Sequence, residues 1–540
     1  MKKIVRTLAC ALCAIMMAVP LGCNSVGGGR GHDKDTLTIT VSNLGFGTNW
    51  LREIAKSFES AYNVTVKINS TVITSQLLSQ LENNYPMDDL CFFAGVSAAW
   101  STMRKGKFEV IDDIWAATVE GEDVPISEKT LPVWKEAYNF NGHYYSLPFI
   151  SETMGLAYNK TTLNKLLGND WALPRTSLEL EALCARIKAA GAYAFTWSNK
   201  ENACYWNGVT NTWIAQYDGA DNFIHNSMGQ YYDESSDEWK LDMDPLEDGH
   251  ILSRKGTLRA CQAADIFVKQ DSPTVGGYSH QYATSMEFME SQRAFAGNGY
   301  TSDKKLVAFT PSGSWLYEES YEDITETLQE VGMMKVPVIS AFVEKLSFYN
   351  SGDYNALSAD QKVSYDEALV AIIEYIDGGK QGAAPTSVGG HVITADDISS
   401  VEAARGVQYV KDQAHAFIPT TGQNKDLARE FLKFFCSDYA GAIYSRSTHG
   451  FSPFYLKVTD DNKDYLNSFD LEIADLFKSS NIIYSPSKYG FWVNYGAVEN
   501  NLFTGAGTYG TPQKMYEGIY QAQSTQWQSK LQSAGLLSEN

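Results

Sequence analysis

The sequence predicts an α/β protein whose N-terminal part forms a doubly wound, mostly parallel sheet. Strand-like segments at residues 36–41, 64–68 and 88–95 alternate with helical segments, which is the order of repeated βαβ units. The clearest apolar positions are Leu37, Ile39 and Val41 in the first strand and Leu51, Ile54, Ala55 and Phe58 in the first helix. A ligand site in such a sheet is expected beyond the carboxyl ends of the strands, so the loops "SNLGFGTN" and "FFAGVSAAW" should line it.

The first 22 residues have the pattern of a secretory signal. Three basic residues precede an apolar run that is too short to span a bilayer as a mature helix. "LGC" at 21–23 resembles a bacterial lipobox, in which Cys23 becomes the lipidated N-terminus, although Pro20 departs from the usual pattern. Cleavage without lipidation is the alternative. The Gly-rich residues 23–35 are typical of a flexible tether.

The charge of the chain excludes some classes of partner. The formal charge of −21 becomes −24 without residues 1–22, because that segment carries three basic and no acidic residues. Such an excess repels nucleic acid and anionic lipid headgroups. The five cysteines after Cys23 are odd in number, and a chain of 540 residues needs no disulfide framework for its core. We therefore expect them to be small buried apolar residues.

A polar interruption stands in the stretch "NGHYYSLPFISETMGLAYNK", residues 141–160. Two short strand-like segments are separated by Leu147-Pro148 and by a polar "SET" at a place where a buried strand should be apolar. One interpretation is an ordinary edge strand with a solvated Glu152. The other is a crossing between two parts of the fold, where Ser151 and Glu152 face a ligand.

Several motifs together resemble the family-1 extracellular solute-binding proteins of bacterial carbohydrate ABC transporters. These are "WLREIAKSFESAYNVTVKI", "GHYYSLPF…GLAYNK", "LPRTSLELEALCARIKAAG", "VAFTPSGSW", "VGMMKVPV", "SVGGHVIT" and "KDLAREFLKFFCSDY". Each is weak alone, but seven in order behind a lipobox-like signal are specific. The chain departs from shorter members by extra sequence around 218–300, 345–385 and after 455.

The resemblance implies a two-lobed, periplasmic-binding-protein-like α/β fold with a hinge and a ligand cleft between the lobes. The predicted order is a signal at 1–22, a tether at 23–35, lobe one at 36–150, lobe two at 151–305, a return segment of lobe one at 306–337, and the remainder of lobe two at 338–540. In this arrangement "ISET" crosses the floor of the cleft.

The candidate ligand residues follow from these positions and from sugar chemistry. Aromatic rings stack on sugar C–H patches, while carboxylates and amides bind hydroxyls. The resemblance places Trp315 and the Gly389-Gly390-His391 turn near the cleft. The full set predicted to bind the solute is Glu152, Ser151, Trp315, Gly390, His391, Trp492, Trp206 and Trp50. Because large aromatic residues are mostly buried, each Trp has a core position as its alternative.

The predicted function is extracytoplasmic capture of a sugar or short oligosaccharide by a lipid-anchored monomer, with delivery to ABC permease subunits. We expect no enzyme activity, cofactor, metal or nucleic-acid partner. "GAGTYG" at 505–510 matches a dinucleotide-binding pattern, but too few residues follow to complete the βαβ unit. A surface-anchored glycoside hydrolase with paired carboxylates and a carbohydrate-binding sensory lipoprotein remain the alternatives.

Overall fold

The computed structural model describes residues 35–72, 74–94, 99–200, 205–297, 304–411, 414–484, 507–508 and 510–537. The chain from Asp35 onward forms one compact unit. It contains two larger sheets, which we call the first and second sheets; each has helices packed against it, and we call each sheet with its helices a side.

The first sheet contains the predicted parallel strands. Its order is Thr65–Asn69, Thr36–Val41, Leu90–Ala94, Ala414–Phe417 and Leu147–Pro148. The first three strands are parallel. Ala414–Phe417 pairs antiparallel to Leu90–Ala94, and Leu147–Pro148 pairs antiparallel to Ala414–Phe417. Leu37, Ile39 and Val41 are buried, as the alternation predicted.

The second sheet has six strands around a long central one. Thr153–Asn159 pairs with Val307–Gly313, Val331–Met334 and Val407–Val410, and its seven residues are all buried. Tyr193–Phe195 and Asn481–Ile483 form the two edges.

The strand pairing differs from the predicted return segment. The strands Val307–Gly313 and Val331–Met334, predicted at 306–337 to lie in lobe one, both pair within the second sheet. The strand that returns to the first sheet is Ala414–Phe417. An apolar strand pattern states that a segment is buried but does not name its partner, so the sequence could not distinguish the two sheets.

The helices after the return strand also lie on the first-sheet side. Phe431 of the helix Lys425–Phe435 packs edge-on against Phe58, with ring centroids 5.0 Å apart. Tyr444 of the next helix packs on Trp50 at 5.2 Å. The chain therefore crosses between the sides at 149–152 and between Val410 and Ala414. It crosses again before the helix Ser468–Leu476, because Glu472 of that helix accepts a hydrogen bond from the backbone N–H of Met333 in the second sheet. The helices Lys425–Phe435 and Asp438–Thr448, predicted as part of lobe two at 338–540, thus pack with the first sheet.

Helices occupy the connections between these strands. The α-helices span Asn49–Tyr62, Thr74–Glu82, Ala99–Arg104, Asp112–Ala116, Ile126–Lys129, Pro132–Tyr138, Lys160–Leu167, Ser177–Ala189, Trp206–Asp218, Ala220–Asn226, Gly256–Val268, Phe288–Phe295, Leu316–Glu319, Tyr321–Glu326, Ala359–Asp377, Ala395–Arg405, Lys425–Phe435, Asp438–Thr448, Ser468–Leu476, Pro512–Ser524 and Trp527–Ser533. Short 3-10 helices span Ser340–Lys345, Tyr354–Ala356 and Lys463–Tyr465.

Three small hairpins complete the fold. They pair Asn139–Phe140 with His143–Tyr144, Gln230–Asp233 with Glu238–Leu241, and Ser387–Val388 with His391–Val392.

Local signals in the sequence explain individual helix ends. Thr176 caps the helix Ser177–Ala189 by accepting a hydrogen bond from the backbone N–H of Glu179 at 3.2 Å. Cys91, Cys184, Cys261 and Cys436 are all buried, which confirms the apolar role predicted for these four. Within the described ranges, no helix is long and apolar enough to cross a bilayer.

Candidate functional site

The crossing at 149–152 lies where the two sides meet. Leu147–Pro148 ends in the first sheet and Thr153–Asn159 begins the second, so the polar interruption is a crossing rather than an edge strand. Its backbone is fixed by the second-sheet side, because the Ser314 hydroxyl donates to the Ser151 carbonyl at 3.1 Å. The backbone N–H of Lys411, in the next crossing, donates to the Glu152 carbonyl at 2.9 Å.

Five side chains gather around this crossing, and we call them the crossover group: Glu152, Tyr205, Trp315, Glu319 and Lys411. The rings of Tyr205 and Trp315 meet edge to face, with centroids 5.1 Å apart. The Lys411 ammonium nitrogen lies 4.2 Å from the Trp315 ring centroid and 5.4 Å from that of Tyr205. These distances are typical of cation–π contacts.

The loop after the first strand closes this group from the first-sheet side. A Cβ on Gly45 would lie 2.8 Å from Oε1 of Glu319 and 3.1 Å from the Cβ of Trp315. Only a residue without a side chain allows so close an approach. The prediction that "SNLGFGTN" lines the edge of the sheet therefore agrees with the structure, and both sides contribute to the crossover group.

The crossover group contains more acidic than basic charge in a partly buried place. Burial raises the pKa of Glu319, while Lys411 acts in the opposite direction and Glu152 adds to the rise. The Gln292 amide donates to Oε2 of Glu319 at 2.7 Å. Burial also raises the pKa of the Tyr205 phenol, with Glu319 and Glu152 acting in the same direction. The group thus offers carboxylate acceptors, a phenol and two aromatic rings, a combination that suits hydroxyl or amine ligands.

A second polar contact joins the two sides beside this group. Nδ1 of His449, which follows a helix of the first-sheet side, lies 3.0 Å from Oε2 of Glu318. That contact raises the pKa of His449. Asp470 lies next to this pair and is nearly fully buried, and burial raises its pKa to about 7. A titratable cluster therefore spans the junction.

Two of the predicted ligand residues, Glu152 and Trp315, belong to the crossover group. Glu152 is partly exposed, and Trp315 is 4% exposed. Ser151 is buried, and its hydroxyl has no hydrogen-bond partner among the described residues. The role of these three residues in binding a solute stays a prediction.

Trp50 and Trp206 lie at core positions, the alternative that the sequence left open for each Trp. Trp50 is 1% exposed, and its indole N–H donates to the Gly47 carbonyl at 3.1 Å. Trp206 is fully buried at the start of its helix and packs on Phe195 at 5.1 Å. Neither ring has surface left for a ligand, because a large apolar side chain at the inner face of a helix fills the core.

Gly390 and His391 lie in a hairpin on another part of the second-sheet side. Nε2 of His391 lies 3.0 Å from the Ser364 hydroxyl, and the imidazole stacks on Tyr365 at 4.5 Å. These contacts fix the hairpin to the helix Ala359–Asp377, so the structure does not bring Gly390 and His391 to the crossover group. Trp492 and Cys23 lie outside the described residues.

Sequence reasoning missed Tyr205, Glu319 and Lys411. Glu319 follows Trp315 by four residues, which is the spacing of neighbours on a helix, so that signal was present. Tyr205 is adjacent to the predicted Trp206, and only the orientation of the helix decides which ring reaches the crossing. Lys411 gave no signal, because a lone lysine between two strands is usually solvated.

A cavity of about 780 Å³ lies elsewhere, in the extra sequence of the second-sheet side. Its described lining includes Asp221, Tyr231, Trp239 and Arg254. It is separated from Tyr205 by the length of the helix Trp206–Asp218, about 20 Å at 1.5 Å per residue. Since the residues described around it come from one side alone, movement between the sides would not close it. Among the described residues, no His, Cys, Asp and Glu side chains form a group of three metal ligands.

Comparisons with known proteins place this geometry in context. Residues 47–254 match the family model described as bacterial extracellular solute-binding protein. No curated protein matches the chain. Three similar solved structures are RafE in complex with raffinose, the bacterial solute receptor AcbH with its preference for β-D-galactopyranose, and a solute-binding protein of an ABC transporter from Thermotoga lettingae bound to α-D-tagatose.

The three alignments cover nearly all of each partner at low identity. RafE is 15% identical with a TM-score of 0.55, covering 90% of this chain and 98% of its own. AcbH is 11% identical with a TM-score of 0.54, and the alignment covers 92% of this chain and 98% of AcbH. The Thermotoga protein is 14% identical with a TM-score of 0.55, and the alignment covers 90% of this chain and 99% of the Thermotoga protein. The chain therefore has the periplasmic-binding-protein-like α/β fold, and over residues 47–254 it matches the bacterial extracellular solute-binding family, which confirms the resemblance predicted from its motifs.

Proposed function

We propose that this protein captures a sugar or short oligosaccharide between its two sides and delivers it to an ABC permease by hinge closure. The observation that carries the proposal is the crossover group. Its two aromatic rings and two carboxylates lie where the crossings at Glu152 and Lys411 are hydrogen-bonded to each other, and Gly45 of the first-sheet side packs against Glu319 and Trp315. Both the stacking and the hydroxyl-binding elements of a sugar site are thus present at the place where movement of the sides would enclose a ligand.

The structural neighbours support this class of ligand. Raffinose, β-D-galactopyranose and α-D-tagatose are the sugars named for the three proteins described above. The family description supports an extracytoplasmic location. Anchoring through a lipid on Cys23, a monomeric state and a division into two lobes that follow the two sheets belong to this proposal.

A binding screen tests the proposal directly. The protein without its signal segment and Cys23, residues 24–540, is heated with mono- and oligosaccharides, peptides and polyamines. A ligand of the folded form at 100 times its dissociation constant stabilises by about 2.7 kcal/mol, which a thermal-shift assay detects. A shift with an intact sugar supports the proposal. Hydrolysis of that sugar favours the glycoside hydrolase, and a response to peptides alone refutes sugar capture.

Delivery needs a separate measurement. Deletion of the gene should abolish uptake of the sugar found in the screen, and the variant Cys23→Ala should release the protein from the membrane. Normal uptake in the deletion strain would instead favour a sensory or adhesive lipoprotein that uses the same fold.

A further inference from the structure

The ammonium group of Lys411 lies beside two aromatic rings in the structure. It lies 4.2 Å from the centroid of Trp315 and 5.4 Å from that of Tyr205, and these two rings meet edge to face. Glu319 and Glu152 are the acidic members of the crossover group, and Lys411 acts on Glu319 electrostatically. Yet no carboxylate of the described residues lies within ion-pair distance of Lys411. The ammonium is therefore held mainly by the rings and by the acidic field around them.

This position of Lys411 conflicts with a sugar stacking on Trp315. The ring is only 4% exposed, and the ammonium lies over it. A solute that stacks on the face of the ring under the ammonium must displace the lysine side chain. The backbone of Lys411 is fixed by its hydrogen bond to Glu152, but its four-carbon stem is flexible, so rotation of the side chain is enough.

Departure of Lys411 leaves a site with unbalanced charge. Glu319 is held by Gln292 in a partly buried position, and its carboxylate would lose the positive charge that opposes the effect of burial. A neutral sugar restores the stacking contact but not the charge. A protonated amine restores both, because it binds the ring faces as a cation and its charge is attracted over a longer distance by Glu319 and Glu152.

We propose that the cage of Tyr205, Trp315, Glu319 and Glu152 binds a positively charged amino group of the solute in the place where the Lys411 ammonium lies. The transported ligand is then an aminated sugar, with Lys411 as its intramolecular competitor. This inference rests on the proposed function and makes its ligand class specific.

Three probes of the same linkage test the charge requirement. They are the β-1,4 dimer of glucosamine, its fully N-acetylated form and the neutral glucose dimer cellobiose, each titrated calorimetrically into residues 24–540 at pH 6. We expect the amine to bind at least tenfold more tightly than both neutral probes, and the preference to shrink at pH 9, where the amine loses its proton.

Two substitutions distinguish the cage from a general effect of charge. Glu319→Gln should reduce the preference for the amine at least fivefold, whereas Glu322→Gln, an exposed control three residues further on, should leave it unchanged. Lys411→Met should raise the affinity for the amine, because it removes the competitor. An unchanged or lower affinity in Lys411→Met, with normal thermal stability of the variant, contradicts the competition.

The outcomes also separate this inference from the proposed function. Equal or tighter binding of the neutral probes overturns the cage but leaves sugar capture standing. The cage is also overturned, and sugar capture still stands, if none of the three probes binds but another neutral sugar of the screen does. If no sugar of any kind binds, both proposals fail.

Discussion

Asp470 should make the stability of this protein depend on pH in a calculable way. Its side chain is buried next to Glu318 and His449, and burial raises its pKa to about 7, compared with about 3.9 in an unfolded chain. Between these values the folded protein holds a proton that the unfolded chain has released. The free energy of unfolding therefore falls as pH rises from about 4 to 7, by about 1.4 kcal/mol per unit and about 4 kcal/mol in total.

The variant Asp470→Asn removes this pH-dependent loss of free energy of unfolding, because an asparagine side chain does not titrate. Asp470 also caps its helix, accepting from the Asn467 backbone N–H at 2.8 Å, and an asparagine oxygen can take over that bond. We expect the free energy of unfolding of the variant to lie within about 1 kcal/mol of that of the natural protein near pH 4, where only a weaker cap counts, and to exceed it by about 2 to 4 kcal/mol at pH 8.5. Urea unfolding at pH 4, 5.5, 7 and 8.5 measures the difference.

Another titrating group and a matched variant define the control. The contact with Glu318 raises the pKa of His449, so His449 stabilises the fold at low pH and this stabilisation is lost as pH rises through the raised pKa. The effect has the same direction in the natural protein and in Asp470→Asn. Only the difference between the two pH profiles reports on Asp470. Asp475→Asn changes an exposed carboxylate of the same helix and should leave the profile as it is. Parallel profiles for Asp470→Asn and the natural protein would refute the reasoning.

Three further substitutions test individual residues, with affinity for the sugar found in the screen and thermal stability measured for each. Glu152→Ala should weaken binding by about 1.5 to 3 kcal/mol, the range of hydrogen bonds to a charged group, and an unchanged affinity would remove Glu152 from the site. Trp206→Ala should cost about 3 to 5 kcal/mol of stability because it empties a core position, whereas normal stability with lost binding would restore Trp206 as a ligand residue. His391→Ala should leave the affinity unchanged because the imidazole packs on Tyr365, and a tenfold loss would show that the hairpin reaches the solute.

The sequence by itself determined the local elements of the fold. Leu37, Ile39 and Val41 alternate because successive side chains of a strand point to opposite faces, and Thr176 begins a helix because its hydroxyl satisfies a free backbone N–H. The polar residues after Ile150 marked a crossing, because a buried strand does not tolerate an unpaired carboxylate. These features depend on neighbours within a few residues, which a sequence displays directly.

Only the tertiary structure decided which distant segments meet. Val307–Gly313 reads as a buried strand in either sheet, and its pairing with Thr153–Asn159 depends on contacts between residues far apart in the chain. The same holds for Ala414–Phe417, which returns to the first sheet. Lys411 follows a buried strand and reaches the ring of Trp315, almost one hundred positions earlier, because two crossings run side by side at Glu152. Periodicity encodes burial and element type, but the partner of a buried face is set by the packing of the whole chain.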